Sequence, residues 1–401
     1  MDTAGLAVPP GAPSPPALTA TSWVVADMDS GAVLGACGPH EYGVPASVQK
    51  LLLAATVLPR LNPKQVVTVT QADLDFEAGS SAVGLVLGGR YSIETLWLGL
   101  LLNSGNDAAN VLARLGGGAA GVPGTIETMN AEARRLGARQ TRAVTPHGLD
   151  GPGQFTSAYD LALIARACFA NPLFGRYTRT ERTQVPAQPA LGKGGFQIQN
   201  ENQLVFRYPG ALGGKTGFTT LARHTYVGAA SRGGRRLVAT LLGAEARPLR
   251  GWQQGAALLD WGFSLPNDAA VGRLVDPQDV RQASPTPTAR GSAPDRSAPA
   301  AVNAGNSTAL GADSAGLPLA VAIAVTALVA VVVLLRARAV RRRARRRRRT
   351  ARARPEWPGT EPARPRPEWS GREPRLTRPA SRPEARSRGA APDTPRWRER
   401  G

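Results

Sequence analysis

The texture of the chain changes at about residue 265, and that change limits where a packed core can form. Residues 21–265 mix apolar and polar side chains as a globular segment does. From 266 to 314 the sequence turns to Pro, Ser, Ala and Gly with no apolar period, which marks a linker. Residues 315–335 are uncharged and largely apolar. As a helix rising ~1.5 Å per residue they would extend about 30 Å, the thickness of a bilayer core. Residues 1–20 are rich in Pro, Ala and Gly and read as an unstructured start. The expected organisation is a disordered N-terminus over 1–20, one folded domain over 21–265, a linker over 266–314, a transmembrane helix over 315–335 and a disordered tail over 336–401.

Charge follows the same division. The net charge is +20, but Arg336 to Gly401 holds 23 Arg, no Lys and seven acidic residues. Only a small charge remains on everything before it. A fold that binds nucleic acid carries its basic surface on the fold itself, so no nucleic acid is expected as a partner. Trp357, Trp369 and Trp397 lie among the tail arginines and could stack on bases, yet the prolines, acids and adjacent apolar run favour lipid or protein contacts. Ten Arg within Arg336–Arg349 place the tail in the cytoplasm by the positive-inside rule. The expectation is a single-pass plasma-membrane protein, its folded domain extracytoplasmic, its Arg-rich tail meeting anionic lipid or an unidentified protein. The start of the chain lacks the positive charge and apolar run of a signal peptide. A misassigned or truncated start is the preferred explanation, insertion driven by the single span the other. Cys37 and Cys168 are too few for a disulfide scaffold. Two unpaired core thiols are favoured over one bridge, and no metal site is expected.

Within 21–265 the pattern gives strands, then helices, then strands and a last helix. Trp23–Asp27 and Ala32–Leu34 flank the turn Asp29-Ser30-Gly31 as a hairpin. Ser47–Leu58, Ser92–Asn103, Asn106–Leu115, Ile126–Leu136 and a segment capped at Thr156 or Ser157 and ending at Phe169 read as helices, and Val66–Thr70 as a short strand. Leu204–Tyr208, Gly213–Thr220, Thr225–Ala230 and Arg236–Gly243 read as extended, and Gln253–Phe263 as a closing helix. This order predicts an α/β (α+β) fold, an antiparallel sheet covered by terminal helices with a mostly helical insertion.

Three short motifs carry chemistry. In Ser47-Val48-Gln49-Lys50 the first and last residues share one helix face. A serine hydroxyl needs a base, and a lysine can be that base when burial and a neighbouring cation lower its pKa. In Ser104-Gly105-Asn106, between two apolar helices, Ser104 could relay a proton, and Asn106 could bond a substrate amide and orient Lys50. In Lys215-Thr216-Gly217 a lysine interrupts an extended segment, which is costly unless it faces a cleft. Lys215 and Thr216 could bind a carboxylate, Gly217 admits a substrate backbone, and the N–H groups of Phe218 and Ser47 could hold an oxyanion. Alone, each motif is equally a helix cap, a loop or a surface lysine. The chain has only four Lys, however, and two of them, Lys50 and Lys215, fall in these motifs. The other two, Lys64 and Lys193, read as surface residues. His147, in a Pro-His-Gly-Leu loop with no evident acidic partner, reads as structural.

Taken together, the motifs match the S-x-x-K, S-D-N and K-T-G set of penicillin-binding proteins and β-lactamases, with Gly105 in place of the middle Asp. The sequence from Trp23 to Phe263 resembles the low-molecular-mass serine D-alanyl-D-alanine carboxypeptidases. The likeness extends to Val25-Ala26-Asp27, Ala108-Ala109, Met129-Asn130, Pro146-His147-Gly148-Leu149, Thr156-Ser157-Ala158 and Phe218-Thr219. It implies a DD-peptidase/β-lactamase-like fold, with a five-stranded antiparallel sheet, a helical lobe and a cleft between them. It implies Ser47, Lys50 and Ser104 as catalytic residues, with Asn106, Lys215, Thr216, Gly217 and Phe218 as substrate-binding residues. Expected partners are peptidoglycan stem peptides, with β-lactams as covalent inhibitors and no cofactor or metal required. Low-complexity sequence follows the last helix where many relatives carry a further β domain. Arg223 stands where relatives often have Gly. The alternatives are a β-lactamase, a peptidoglycan DD-endopeptidase or a membrane scaffold with a vestigial site. Against a β-lactamase, no E-x-x-L-N element supplies a deacylating Glu, and Glu127 and Glu132 read as solvated helix residues.

Overall fold

The computed structural model describes residues 5–282. Its central sheet takes two strands from the start of the domain, β1 (Ser22–Asp27) and β2 (Ala32–Cys37). Three more come from its end, β3 (Ala211–Thr219), β4 (Arg223–Arg232) and β5 (Arg235–Ala244). The order across the sheet is β2-β1-β5-β4-β3, and each pairing is antiparallel. Two-residue strands at Leu6–Ala7 and Gly272–Arg273 extend the β2 edge. Among the described residues the opposite edge, β3, pairs only with β4, and the lysine-containing motif of residues 215–217 sits there.

Both faces of the sheet are covered, which is why β1 is buried throughout. Side chains alternate between the faces with period two. Val24, Ala26, Val33, Val227 and Val238 point into one core. Trp23, Val25, Leu34, Leu237 and Ala239 point into the other. Among the described residues, seven helices of eight residues or more surround the sheet: α1 (Lys50–Val57), α2 (Ile93–Leu102), α3 (Asn106–Gly116), α4 (Gly121–Arg135), α5 (Ala158–Phe169), α6 (Pro172–Arg179) and α7 (Gly251–Ser264). The first core holds α1, α5 and the lobe formed by α2 to α4. The second lies under α7, through Leu258, Leu259 and Trp261. α1 is apolar almost all round and buried in consequence. α2 begins where the Ser92 hydroxyl accepts the Thr95 N–H at 3.1 Å, and α5 where Ser157 does the same for Asp160 at 3.1 Å.

Several local features depart from the sequence pattern. Leu204–Arg207 is one helical turn rather than extended chain, because the Asn202 side chain accepts the Leu204 N–H. The described part of the Pro-rich start packs on the domain. Pro13 accepts the indole N–H of Trp261 at 2.8 Å, and Thr19 bonds Gln254. Ser47–Leu58 splits into a tight turn over Ala46–Gln49 followed by α1. Both cysteines are free.

The expected transmembrane helix is corrected. Among the described residues no helix is long and apolar enough to cross a membrane. The longest, α4, has 15 residues and carries charge, and at ~1.5 Å per residue it reaches only about 23 Å. The most apolar, α2, has ten residues, about half of a span. Residues 315–335 lie outside the described residues, as does the Arg-rich tail. The architecture is therefore an α/β domain with no membrane-spanning element among the described residues. Neither membrane binding nor a single-pass plasma-membrane placement follows from it.

One buried carboxylate fixes the lobe. Asp107, in the first turn of α3, is 1% exposed. It accepts the N–H groups of Val83, Gly84 and Leu85 at 2.9, 2.9 and 3.0 Å, and that of Ala108 at 2.8 Å. A loop without secondary structure is thereby held against α3. Replacing Asp107 by Ala leaves these donors without acceptors, each worth about 1–3 kcal/mol when buried. The expected result is a loss of about 3 kcal/mol or more, read from the urea midpoint, with Asp107→Asn recovering only part of it.

Candidate active site

Ser47 lies in the turn that leads into α1, and Lys50 is the first residue of the helix proper. The turn starts from Ala46, whose φ of 48° is left-handed, a conformation that costs energy for a residue with a side chain and clusters at functional sites. It sets Ser47 at the cleft and Lys50 beneath it. The Lys50 ammonium is 0% exposed. Its three N–H groups go to Ser47 Oγ, Asn106 Oδ1 and the His147 carbonyl, each at 2.8 Å. Burial pulls its pKa well below the usual lysine range, and Lys215 adds to that, while Glu201 and Asp107 oppose it. Geometry offers the charged form three acceptors while burial disfavours it. The group is poised between a cation and a base.

Asn106 comes from the N-terminus of α3, and Ser104 from the connection after α2. Ser104 has φ 58° and lines the cleft. Between them, Gly105 has no room for a side chain. A Cβ there would lie 2.3 Å from Val83 Cγ2 and 2.7 Å from Asp107 Oδ1. The loop that Asp107 holds thus accounts for Gly in place of the expected Asp.

Lys215 and Thr216 lie on β3. Lys215 is 1% exposed and donates to the Thr216 carbonyl at 2.8 Å. Burial lowers its pKa to about 8, and Glu201 works against that fall. Gly217 is where the sheet touches the turn before α1. A Cβ there would sit 2.9 Å from Ser47 N and 2.4 Å from Thr225 Oγ1. Thr225 in turn donates to the Pro45 carbonyl at 2.8 Å. Phe218 is 60% exposed and stacks on His224, with ring centroids 4.7 Å apart.

These elements enclose a cleft of about 520 Å³ lined by Ser47, Ser104, Asn106, Thr216, Gly217 and Phe218. Lys50 and Lys215 are beneath its surface rather than in its lining. All eight residues singled out by sequence therefore meet at one place. Lys64 and Lys193 are exposed and do not line it. His147 acts through its backbone carbonyl on Lys50, and its ring accepts the Leu149 N–H at 3.2 Å. Burial and Lys50 lower the His147 pKa to about 3, so the ring is neutral across the working range. Glu127 is exposed on α4 and Glu132 pairs with Arg135. Sequence reasoning missed Leu149, Glu201, Arg250 and Trp252, which also line the cleft. Leu149 belongs to the Pro146-His147-Gly148-Leu149 segment of the family likeness, but no local pattern marks the other three, which arrive from separate loops and helix ends.

Residues 10–246 match the family described as D-alanyl-D-alanine carboxypeptidase. The chain belongs to that family. It is 45% identical over 260 residues to D-alanyl-D-alanine carboxypeptidase DacB2 of Mycobacterium tuberculosis, covering 64% of this chain and 86% of the relative. It is 36% identical to DacD of Salmonella typhimurium, where the match spans 63% of this chain and 64% of the relative. Among solved structures, a D-alanyl-D-alanine carboxypeptidase from Mycobacterium tuberculosis aligns with TM-score 0.62 and 43% identity, covering 67% of this chain and all of the other. A Streptomyces DD-transpeptidase aligns with TM-score 0.60 and 27% identity, over 63% of this chain. The protein is a serine-type D-alanyl-D-alanine carboxypeptidase within the superfamily of penicillin-binding proteins and β-lactamases.

The contact at Gly217 gives this carboxypeptidase a sensitive point. In Gly217→Ala the added methyl must push Ser47 or Thr225 away. A displacement of about 1 Å at reacting groups costs roughly 10²-fold in rate. The variant should keep its fold, losing about 1–3 kcal/mol from overpacking, while kcat for D-alanine release falls by about that factor. Steady-state kinetics and a urea titration on the same sample test both parts.

Proposed function

We propose that Ser47 is the nucleophile in a penicillin-sensitive reaction that removes the terminal D-alanine of peptidoglycan stem pentapeptides. Lys50 in its neutral form takes the Ser47 proton as Oγ attacks the carbonyl carbon of the penultimate D-alanine. The N–H groups of Ser47 and Phe218 hold the oxyanion. Ser104 delivers a proton to the departing nitrogen as the C–N bond breaks. Lys215 and Thr216 bind the terminal carboxylate. Asn106 keeps Lys50 aimed and bonds the substrate amide. Gly217 admits the substrate backbone. Water then attacks the ester, the acyl group leaves, and Ser47 regains its proton. A β-lactam follows the same first step and remains as the acyl-enzyme. The scheme needs no metal or organic cofactor.

The observation that carries this reading is the 2.8 Å contact between Lys50 Nζ and Ser47 Oγ at a fully buried lysine. A lysine of ordinary pKa stays protonated at neutral pH and cannot accept a proton. Here burial, with the charge of Lys215, favours the neutral form. Release of D-alanine from diacetyl-Lys-D-Ala-D-Ala, blocked by penicillin, is the direct test. In Ser47→Ala, covalent labelling by a fluorescent penicillin should vanish, and labelling that persists at another residue would overturn the assignment.

The two lysines also fix the pH dependence. Lys50 must be neutral, and its lowered pKa brings the base form in at a lower pH than an ordinary lysine allows. Lys215 must be charged, and with a pKa of about 8 it loses that charge above about pH 8. The pH profile of kcat/KM reports the free enzyme. It should rise with pH on the Lys50 limb and fall above about pH 8. Lys215→Arg keeps its charge at higher pH, so its alkaline limb should move upward even though the rate is reduced.

A further inference from the structure

Glu201 has no part in the mechanism above. It is the one carboxylate among the cleft-lining residues, and it is exposed. Its backbone N–H is held by the Leu102 carbonyl at 2.9 Å, at the end of α2, two residues before Ser104. Its side chain makes no hydrogen bond or ion pair with the other described residues. Around it are Lys50 and Lys215 below the cleft floor, and Arg250 and His224 elsewhere in the lining, the His224 pKa being lowered by burial. Tyr226 also lines the cleft as a buried neutral phenol, and Asp107 lies behind the site with its carboxylate spent on backbone N–H groups, so among the lining residues Glu201 is where the cleft would accept a cation.

The direction of β3 tells which end of the substrate that is. Gly217 lies against Ser47. Beyond it, Phe218 and Thr219 run toward the loop of Leu149 and Asp150, where Thr219 Oγ1 donates to Asp150 Oδ1 at 2.8 Å. That end faces the acyl portion. Lys215 and Thr216 lie on the other side of Gly217, toward the leaving group. The backbone of Glu201 is tied to Leu102, two residues before Ser104, the residue that delivers the proton to the departing nitrogen, and this puts Glu201 at the leaving-group end; its charge acts on both Lys50 and Lys215.

We propose that Glu201 is a specificity-determining residue that favours leaving groups bearing a positive charge next to the carboxylate-binding lysine. This rests on the assignment of Ser47, Lys215 and Thr216 made above. The class of substrate is a peptide whose residue after the scissile bond carries a free amine on its side chain. The bond broken is the same C–N bond, the departing nitrogen takes the same proton, and no further reactant is needed.

The test uses the full chain and two peptides that differ only in the leaving residue, diacetyl-Lys-D-Ala-D-Lys and diacetyl-Lys-D-Ala-D-norleucine. The two side chains have similar length, and one is charged. The expected ratio of kcat/KM, charged over neutral, exceeds one in the native protein. It should fall about tenfold in Glu201→Gln, a change of about 1.4 kcal/mol, and drop below one in Glu201→Arg. Glu201→Asp should recover part of it. Added salt should lower the native ratio and leave that of Glu201→Gln unchanged, because the pair is solvent-accessible. A third peptide, monoacetyl-Lys-D-Ala-D-Ala with its side-chain amine free, puts the charge on the acyl side. If Glu201→Gln changes the ratio only for that peptide, the leaving-group assignment is overturned. If it slows all peptides equally, charge selection is overturned. Penicillin labelling with full stoichiometry in each variant confirms a folded site. Loss of that labelling in Ser47→Ala tests the underlying mechanism separately, so the two readings fail in different experiments.

Discussion

A lysine ammonium held out of water by three oxygen acceptors is the constraint on which this site depends. Burying a charge costs several kcal/mol unless partners replace the lost hydration. Here the replacements come from three parts of the chain: Ser47 one turn earlier, Asn106 at the start of α3, and the His147 carbonyl in the loop before α5. None of the three can move far without leaving Lys50 with an unpaired donor. The same contacts that make Lys50 tolerable therefore align its nitrogen with the serine hydroxyl.

The rest of the fold can be understood as support for that junction. α1 must lie in the middle of the domain to bury Lys50, and its apolar sequence, Leu51 to Val57, makes this favourable. The sheet must approach the Ser47 turn without a side chain between, which Gly217 permits. The lobe must hold Asn106 in place, and Asp107, its neighbour, ties α3 to the loop of residues 83–85. Adjacent residues on α3 thus serve two ends. One side chain reaches the reacting lysine, and the next fixes the wall that positions the first.

Much of this was legible in the sequence because it is local. The strand hairpin, α1, α2, α3, α5 and the β4–β5 pair follow from hydrophobic period and turn residues, and the three motifs share a recognisable spacing. What escaped was non-local. α6 begins with Pro172 and contains Gly175, and its start is stabilised by the Asn171 side chain, which accepts the Leu173 N–H at 2.9 Å. The hairpin of Arg182–Val185 with Phe196–Gln199 is short and mostly polar, so its pattern carries little signal. The packing of the Pro-rich start on Trp261 comes from a partner almost 250 residues away. The membrane span was inferred from an apolar run set between a linker and an Arg cluster, and all three lie wholly or largely outside the described residues. Cleft residues such as Glu201 and Arg250 have no signature, since only the tertiary fold brings them to the cleft.

The proposed chemistry asks two buried lysines to behave oppositely, one as a neutral base and one as a fixed cation. Burial alone lowers both, so it cannot separate them. Glu201 raises both as well, and the neighbour that lowers one alone is Lys215, acting on Lys50. Lys50 is pulled well below the ordinary lysine range by burial first and by the charge of Lys215 second. Lys215 falls only to about 8, with Glu201 opposing the fall. A pair of titratable groups driven apart in this way defines which is base and which is cation. The carboxylate at the mouth of the cleft then has two consequences from one position: it keeps Lys215 charged for the substrate carboxylate, and it leaves a negative site beside it that a cationic leaving group can satisfy.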